Sequence, residues 1–190
     1  IVPDITKYVR DMTKYGMVGM GVRKVMSLGI INIIKLGFKI VPKFKGILNK
    51  NFKVLLPILV QIDYFELKKI KPRYLFLHSQ ITDLALANNN KGLINKFLEL
   101  KTGCNLGLMT KNLGFLEKKS EEWGLTINNI LAPFNQTGYE MRPTKKKCEE
   151  ILLKNKRNYF SFNVLDSDVQ LQKEIKYLER LDLKEKFISF

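Results

Sequence analysis

The sequence predicts an α/β fold of parallel βα repeats with a helical N-terminal region. Three observations predict it. Short apolar runs begin near residues 74, 105, 129, 159 and 187, so their starts are 24 to 31 residues apart. Stretches of helical length, with capping residues at their ends, lie between them. This is the period of a strand–helix unit with short loops, and helical crossovers make neighbouring strands parallel.

The elements follow in order. Tyr74 to His78 is the first strand and a polar loop follows it. Asn90 caps a helix over Lys91 to Lys101, which Gly103 closes. Asn105 to Met109 is the second strand, and Leu113 to Trp123 is a helix closed by Gly124. Asn129 to Phe134 is the third strand, and Pro143 and Thr144 open a helix to about Lys156. Tyr159 to Val164 is the fourth strand. Ser167 and Gln170 form a capping box for a helix ending near Leu181. Phe187 to Phe190 is a last strand. Leu116, Phe115 and Trp123 are expected to pack helix against sheet.

The chain divides into residues 1–53 and residues 54–190. The first part holds eleven Lys or Arg against two Asp and no Glu, with frequent Gly. Asp4 to Tyr15 fits one helix and Arg23 to Leu36 another. The second is apolar nearly all round, as in a buried helix or one lying on a membrane or partner surface. Asn51 to Ile70 suits a buried strand in part, but Phe52, Leu55, Leu59, Ile62 and Phe65 fall at helical spacing, and helix is favoured.

Composition bounds the function. The 190 residues are 45% hydrophobic and 27% charged, which suits a globular domain with a real core. A formal charge of +15 raises the prospect of an anionic partner. However, 27 of the 33 basic residues are Lys and only 6 are Arg. Nucleic-acid readers favour the two-pronged guanidinium, so nucleic acid is the lesser partner here. Cys104 and Cys148 have no CxxC spacing and His78 is the only histidine, so no metal site or disulfide framework is indicated. Two reduced thiols suit a cytoplasmic protein. No signal peptide is visible, and Lys35 and Lys39 interrupt the apolar stretch Val25 to Val41, which is short for a membrane span. No Gly-rich fingerprint follows a strand, which weakens the dinucleotide-binding alternative and leaves the cofactor unknown.

In parallel α/β architectures ligands bind at the C-terminal ends of the strands. Here the first strand ends in His78-Ser79-Gln80, with Thr82 and Asp83 beyond. The second ends in Thr110-Lys111-Asn112, the third in Asn135-Gln136-Thr137-Gly138-Tyr139, and the fourth carries Asn163 and then Asp166. His78 and Asp83 are the acid–base candidates, because imidazole titrates near neutrality and a carboxylate lies five residues on. Lys111 is an electrostatic or Schiff-base candidate if burial lowers its pKa. Gln80, Thr110, Asn112, Asn135, Tyr139, Asn163 and Asp166 would line the pocket. The bland alternative is that such residues serve loops and caps, Thr110 or Asn112 among them. The expected ligand is a small polar metabolite, neutral or anionic. Asp166 and Asp168 at the start of the last helix argue against a phosphosugar.

The segments His78-Ser79-Gln80-Ile81-Thr82-Asp83, Leu106-Gly107-Leu108-Met109-Thr110 and Ala132 to Met141 resemble the second half of a TIM-type (β/α) barrel, over residues 71–190. The resemblance is architectural and carries no reaction with it. A complete barrel needs eight strands and typically about 250 residues. The expectation is therefore a partial or atypical TIM-type barrel. Its missing strands would lie upstream of Ile1, be lacking altogether, or come from a partner subunit. The N-terminal region would then be a lid or barrel helices. The competing expectation is an interaction protein whose basic N-terminal region docks on nucleic acid, a membrane surface or another subunit.

Overall fold

In a computed structural model of the chain, the described residues are 70–162, 171–181, 183, 185 and 186, with scattered positions between 2 and 67. The chain forms two compact units, residues 1–75 with 95–105, and residues 76–94 with 106–190. In the first unit, Lys7, Arg10, Asp11, Thr13 to Gly16, Val60, Asp63, Tyr64 and Leu67 are helical, as the spacing predicts. The Gly103 amide donates to the Tyr64 hydroxyl at 2.8 Å. Arg23 is helical too, but the rest of the apolar helix predicted to Leu36 lies outside the described residues.

The strands are β1 (Tyr74–Leu77), β2 (Asn105–Met109), β3 (Asn129–Pro133), β4 (Asn158–Phe162) and β5 (Glu185–Lys186). The helices are α1 (Ser79–Ala87), α2 (Lys91–Leu98), α3 (Leu113–Trp123), α4 (Lys145–Lys154) and α5 (Leu171–Glu179). Strand order is β1-β2-β3-β4-β5. The β2/β3, β3/β4 and β4/β5 pairs are parallel. The fold is thus α/β, a parallel sheet with alternating helices. Among the described residues the sheet is open, with β1 and β5 at its edges.

Register assigns the faces. Leu108 pairs with Ile130, and Ile130 with Tyr159, so these side chains share one face. The Tyr159 hydroxyl donates to Glu117 of α3, which makes this the helix-covered face. Helix α3 packs against both α1 and α4, so the three lie side by side. Leu131 and Phe160 point to the other face. All five residues of β3 are buried, so both faces are covered, as the nearly continuous apolar run requires.

The second face is concave. Phe76 of β1 and Phe160 of β4 meet edge to face with ring centroids 5.2 Å apart. Three interstrand steps of about 4.8 Å would put β1 and β4 roughly 14 Å apart in a flat sheet. The rings bridge that span only because the sheet curls and both lean inward. Gly107 of β2 makes room. A Cβ there would lie 2.6 Å from the Phe76 ring and 2.7 Å from the Asn129 carbonyl oxygen.

Several predicted boundaries shift by a residue or two, and three elements change more. The polar loop expected after β1 is instead helix α1. Its buried face is Ser79, Ile81, Thr82, Ala85 and Leu86, and the Thr82 hydroxyl is satisfied by the Leu77 carbonyl at 3.2 Å. A helix with two buried hydroxyls and a histidine N-cap carries little apolar signal. Helix α2 ends at Leu98, so Gly103 belongs to the turn before β2 and does not close it. The last strand starts at Glu185, two residues before the apolar run that predicted it. The Ser167–Gln170 capping box and residues 187–190 lie outside the described residues.

A side chain at position 107 collides with backbone as well as with a ring, so relaxation is costly. The variant Gly107→Ala is expected to lose about 1–3 kcal/mol in urea denaturation. An unchanged midpoint would show that the concave face is not packed as described.

Candidate functional site

The predicted rim forms where β2 ends against the start of α1. Helix α1 begins directly after β1 because His78 caps it. Its Nδ1 accepts from the Gln80 amide at 3.2 Å. One turn in, this places Asp83 over the end of β2. There the ladder continues past Met109, with the Thr110 amide donating to the Leu131 carbonyl at 2.9 Å.

Asp83 is held at both oxygens. The Thr110 hydroxyl donates to Oδ1 at 2.5 Å and the Lys111 amide to Oδ2 at 3.1 Å. The same hydroxyl oxygen accepts from the Asn112 amide at 2.9 Å, so Thr110 bridges Asp83 and the start of the next helix. Burial nevertheless pushes the Asp83 carboxyl above its ordinary range. The Thr110 and Lys111 hydrogen bonds and the charges of Lys111 and Arg142 oppose this without cancelling it.

Lys111 extends from the same strand end to Glu140, with Nζ and Oε1 2.5 Å apart. Glu140 sits in the β3–α4 loop with φ of +57°, a conformation that L side chains seldom adopt. Backbone strain of this kind persists where surroundings over-determine it. Three anchors do so. Buried Asn135 accepts from the Tyr139 amide at 2.7 Å and the Thr137 hydroxyl at 3.0 Å, and donates to the Tyr139 carbonyl at 2.8 Å. The Glu174 carboxylate of α5 takes the Gln136 amide. The Arg142 carbonyl takes the Gly114 amide at 3.2 Å.

The rim therefore brings Asp83, Thr110 and Lys111 together and adds Glu140 and Arg142, which the sequence does not single out. Nothing local marks Glu140, since its conformation is one that Gly or Asn usually takes. The other predicted residues fall into distinct positions. Asn112 caps α3, accepting from the Phe115 amide at 3.2 Å, which is the bland alternative weighed for it. Asn135 is fully buried and engaged by its own loop, so it orders the rim from beneath. Tyr139 and Gln80 have exposed side chains. His78 is half-buried at the α1 cap. Asn163 and Asp166 lie outside the described residues.

Both thiols are free, and burial, followed by the Glu149 charge, pushes Cys148 up to about 11. Among the described residues no group of three His, Cys, Asp or Glu is placed to hold a metal ion. No helix among them is long and apolar enough to cross a membrane. No family model, curated protein or solved structure matches this chain.

The raised Asp83 carboxyl has a definite pH signature. The folded state holds this proton more tightly than the unfolded chain, so the contribution is fully present below the ordinary aspartate pKa. It is lost as pH rises through the raised folded value. Relative to Asp83→Asn, the wild type should therefore lose stability between pH 3 and pH 7, as read by urea denaturation at several pH values. A difference that stays flat, or moves the other way, would remove the buried-carboxyl assignment.

Proposed function

We propose that this chain is a small-molecule-binding protein on a partial (β/α)-barrel scaffold, with its ligand seated at the C-terminal rim of the parallel sheet around Asp83. The observation that carries the reading is the Asp83 carboxyl. It is half-buried, raised in pKa, oriented by Thr110 and Lys111, and set beside the Lys111–Glu140 pair. A carboxyl poised in this way exchanges a proton more readily near neutrality than an exposed aspartate does. Asp83 is the acid–base group of this proposal. Lys111 and Arg142 supply positive charge beside it, which suits a small polar metabolite, neutral or anionic. His78 stands at the head of the same helix and is the second acid–base candidate.

The barrel part of the reading is supported by strand order and curvature. Doubly wound sheets reverse their strand order at a switch point, whereas barrels run in sequence with helices on one side. The observed order is sequential, α1, α3 and α4 form one layer, and the opposite face is concave.

The test is a thermal-shift screen of the whole chain against a panel of hydroxy acids, keto acids, amides and sugars at pH 7. At least one compound should raise the melting temperature of the wild type. The same compound should shift Asp83→Asn by less than about a third as much, since a lost hydrogen bond to a charged group costs about 1.5–3 kcal/mol. No shift at millimolar ligand, or equal shifts in both proteins, would reject the rim as the binding site.

A further inference from the structure

The first compact unit begins with a stretch of almost unopposed positive charge. Residues 1–53 hold eleven of the 33 basic residues but only two of the 18 acidic ones. The second unit balances surface lysines locally. Lys119 pairs with Glu122, Lys145 with Glu149 and Lys147 with Glu150, each three or four residues on. The first unit has no such pattern at its start. Lys7, Arg10 and Lys14 are helical and exposed, and their spacing sets them on one side of the helix over about 10 Å. Gly16, with φ of +69°, turns the chain there. Beyond it, exposed Arg23 lies over the Tyr15 ring, its guanidinium carbon 4.2 Å from the centroid. Lys14 Nζ is 5.1 Å from the same centroid. Arg10, Lys14 and Arg23 have no carboxylate partner among the described residues, and Asp11 is the one acidic residue described in this stretch.

At physiological salt the screening length is about 8 Å, so cations this close act together on a facing surface. Their field registers on Tyr15. The Lys14 hydrogen bond, with the Arg23 and Lys14 charges, holds that hydroxyl below its ordinary range against burial and Asp11. We propose that this basic face, formed by Lys7, Arg10, Lys14 and Arg23, docks the protein on an anionic lipid bilayer surface. The attraction is one of charge and needs no insertion. Nucleic acid fits the face less well. Single-stranded RNA is held by bases stacked on free aromatic rings, and the Tyr15 ring is already covered by Lys14 and Arg23. Nine of the eleven basic residues in 1–53 are Lys, point charges that suit a bilayer better than the paired acceptors of a base or phosphate.

The test is co-sedimentation of the full chain with phosphatidylcholine vesicles, with and without about one-third phosphatidylserine. The chain should bind the anionic vesicles, bind neutral ones at least about tenfold more weakly, and come off as sodium chloride rises from about 0.1 M to about 0.5 M. Each cation near such a surface is worth about fivefold, so replacing Arg10, Lys14 and Arg23 together by Gln should weaken binding about a hundredfold. Replacing Lys118, Lys146 and Lys154 by Gln removes three exposed lysines from the second unit and should leave binding as in the wild type. Arg10→Lys with Arg23→Lys should also bind like the wild type, because a bilayer reads charge, whereas an RNA site would lose its guanidinium forks. No binding to anionic vesicles, equal binding to neutral ones, equal losses in the two triple variants, or a loss in the Arg-to-Lys variant would each overturn the proposal. So would tighter binding to a single-stranded RNA through the same three residues. If the first triple variant does not fold, Arg10→Gln alone decides: it should weaken binding about fivefold, and unchanged affinity rejects the face.

Discussion

Everything at the rim depends on how sharply the sheet curls, and the contact that sets the curl is Phe76 on Phe160 across the missing side chain of Gly107. Two strands separate β1 from β4, so the rings meet only over a concave surface. Concavity draws the C-terminal ends of successive strands toward one another. This is how Asp83, which follows β1, and Thr110, which ends β2, come within hydrogen-bonding distance, and how Lys111 reaches a loop that follows β3.

The rim is a balance between burial and compensation. Asp83 loses hydration, which favours its neutral form, yet gains two hydrogen bonds and two nearby cations, which favour the charged form. Burial wins, and the outcome is a carboxyl within easier reach of proton exchange. Asn135 supports this from below, because a fully buried amide that closes its own loop fixes where Glu140 stands. It contributes to the rim as a brace.

A second polar network ties helices to sheet. Arg157 precedes β4, Glu117 and Ser120 belong to α3, and Tyr159 lies within β4. Burial raises the Glu117 carboxyl, with the Arg157 charge and the Tyr159 hydroxyl opposing it, and raises the Tyr159 hydroxyl as well. Breaking such a pair from one side strands a buried charge at a cost of about 3–5 kcal/mol. The network thus specifies how α3 sits on β4.

The α/β class, the strand starts at Tyr74, Asn105 and Asn129, the helix Leu113–Trp123 and its closing Gly124, and the Thr144 cap were legible in the sequence, whereas Asn112, expected to line a pocket, is a cap. Each rests on local information: apolar periodicity, a side chain able to accept from the first turn, or a glycine free to adopt φ of +61°. The end of β2 was legible as a rim for the same reason, since polar residues stop an apolar run. Helix α1 was not, because its cap is an imidazole and its buried face includes Ser79 and Thr82, whose burial is tolerable only through tertiary partners such as the Leu77 carbonyl. Nor were Glu140, Arg142 and the Glu117–Arg157 pair, whose meaning lies in partners 28 to 59 residues away. Local chemistry determined the repeating strand–helix units and their ends. Only the packed sheet, through its curl and its few buried charges, decided which of those ends face one another.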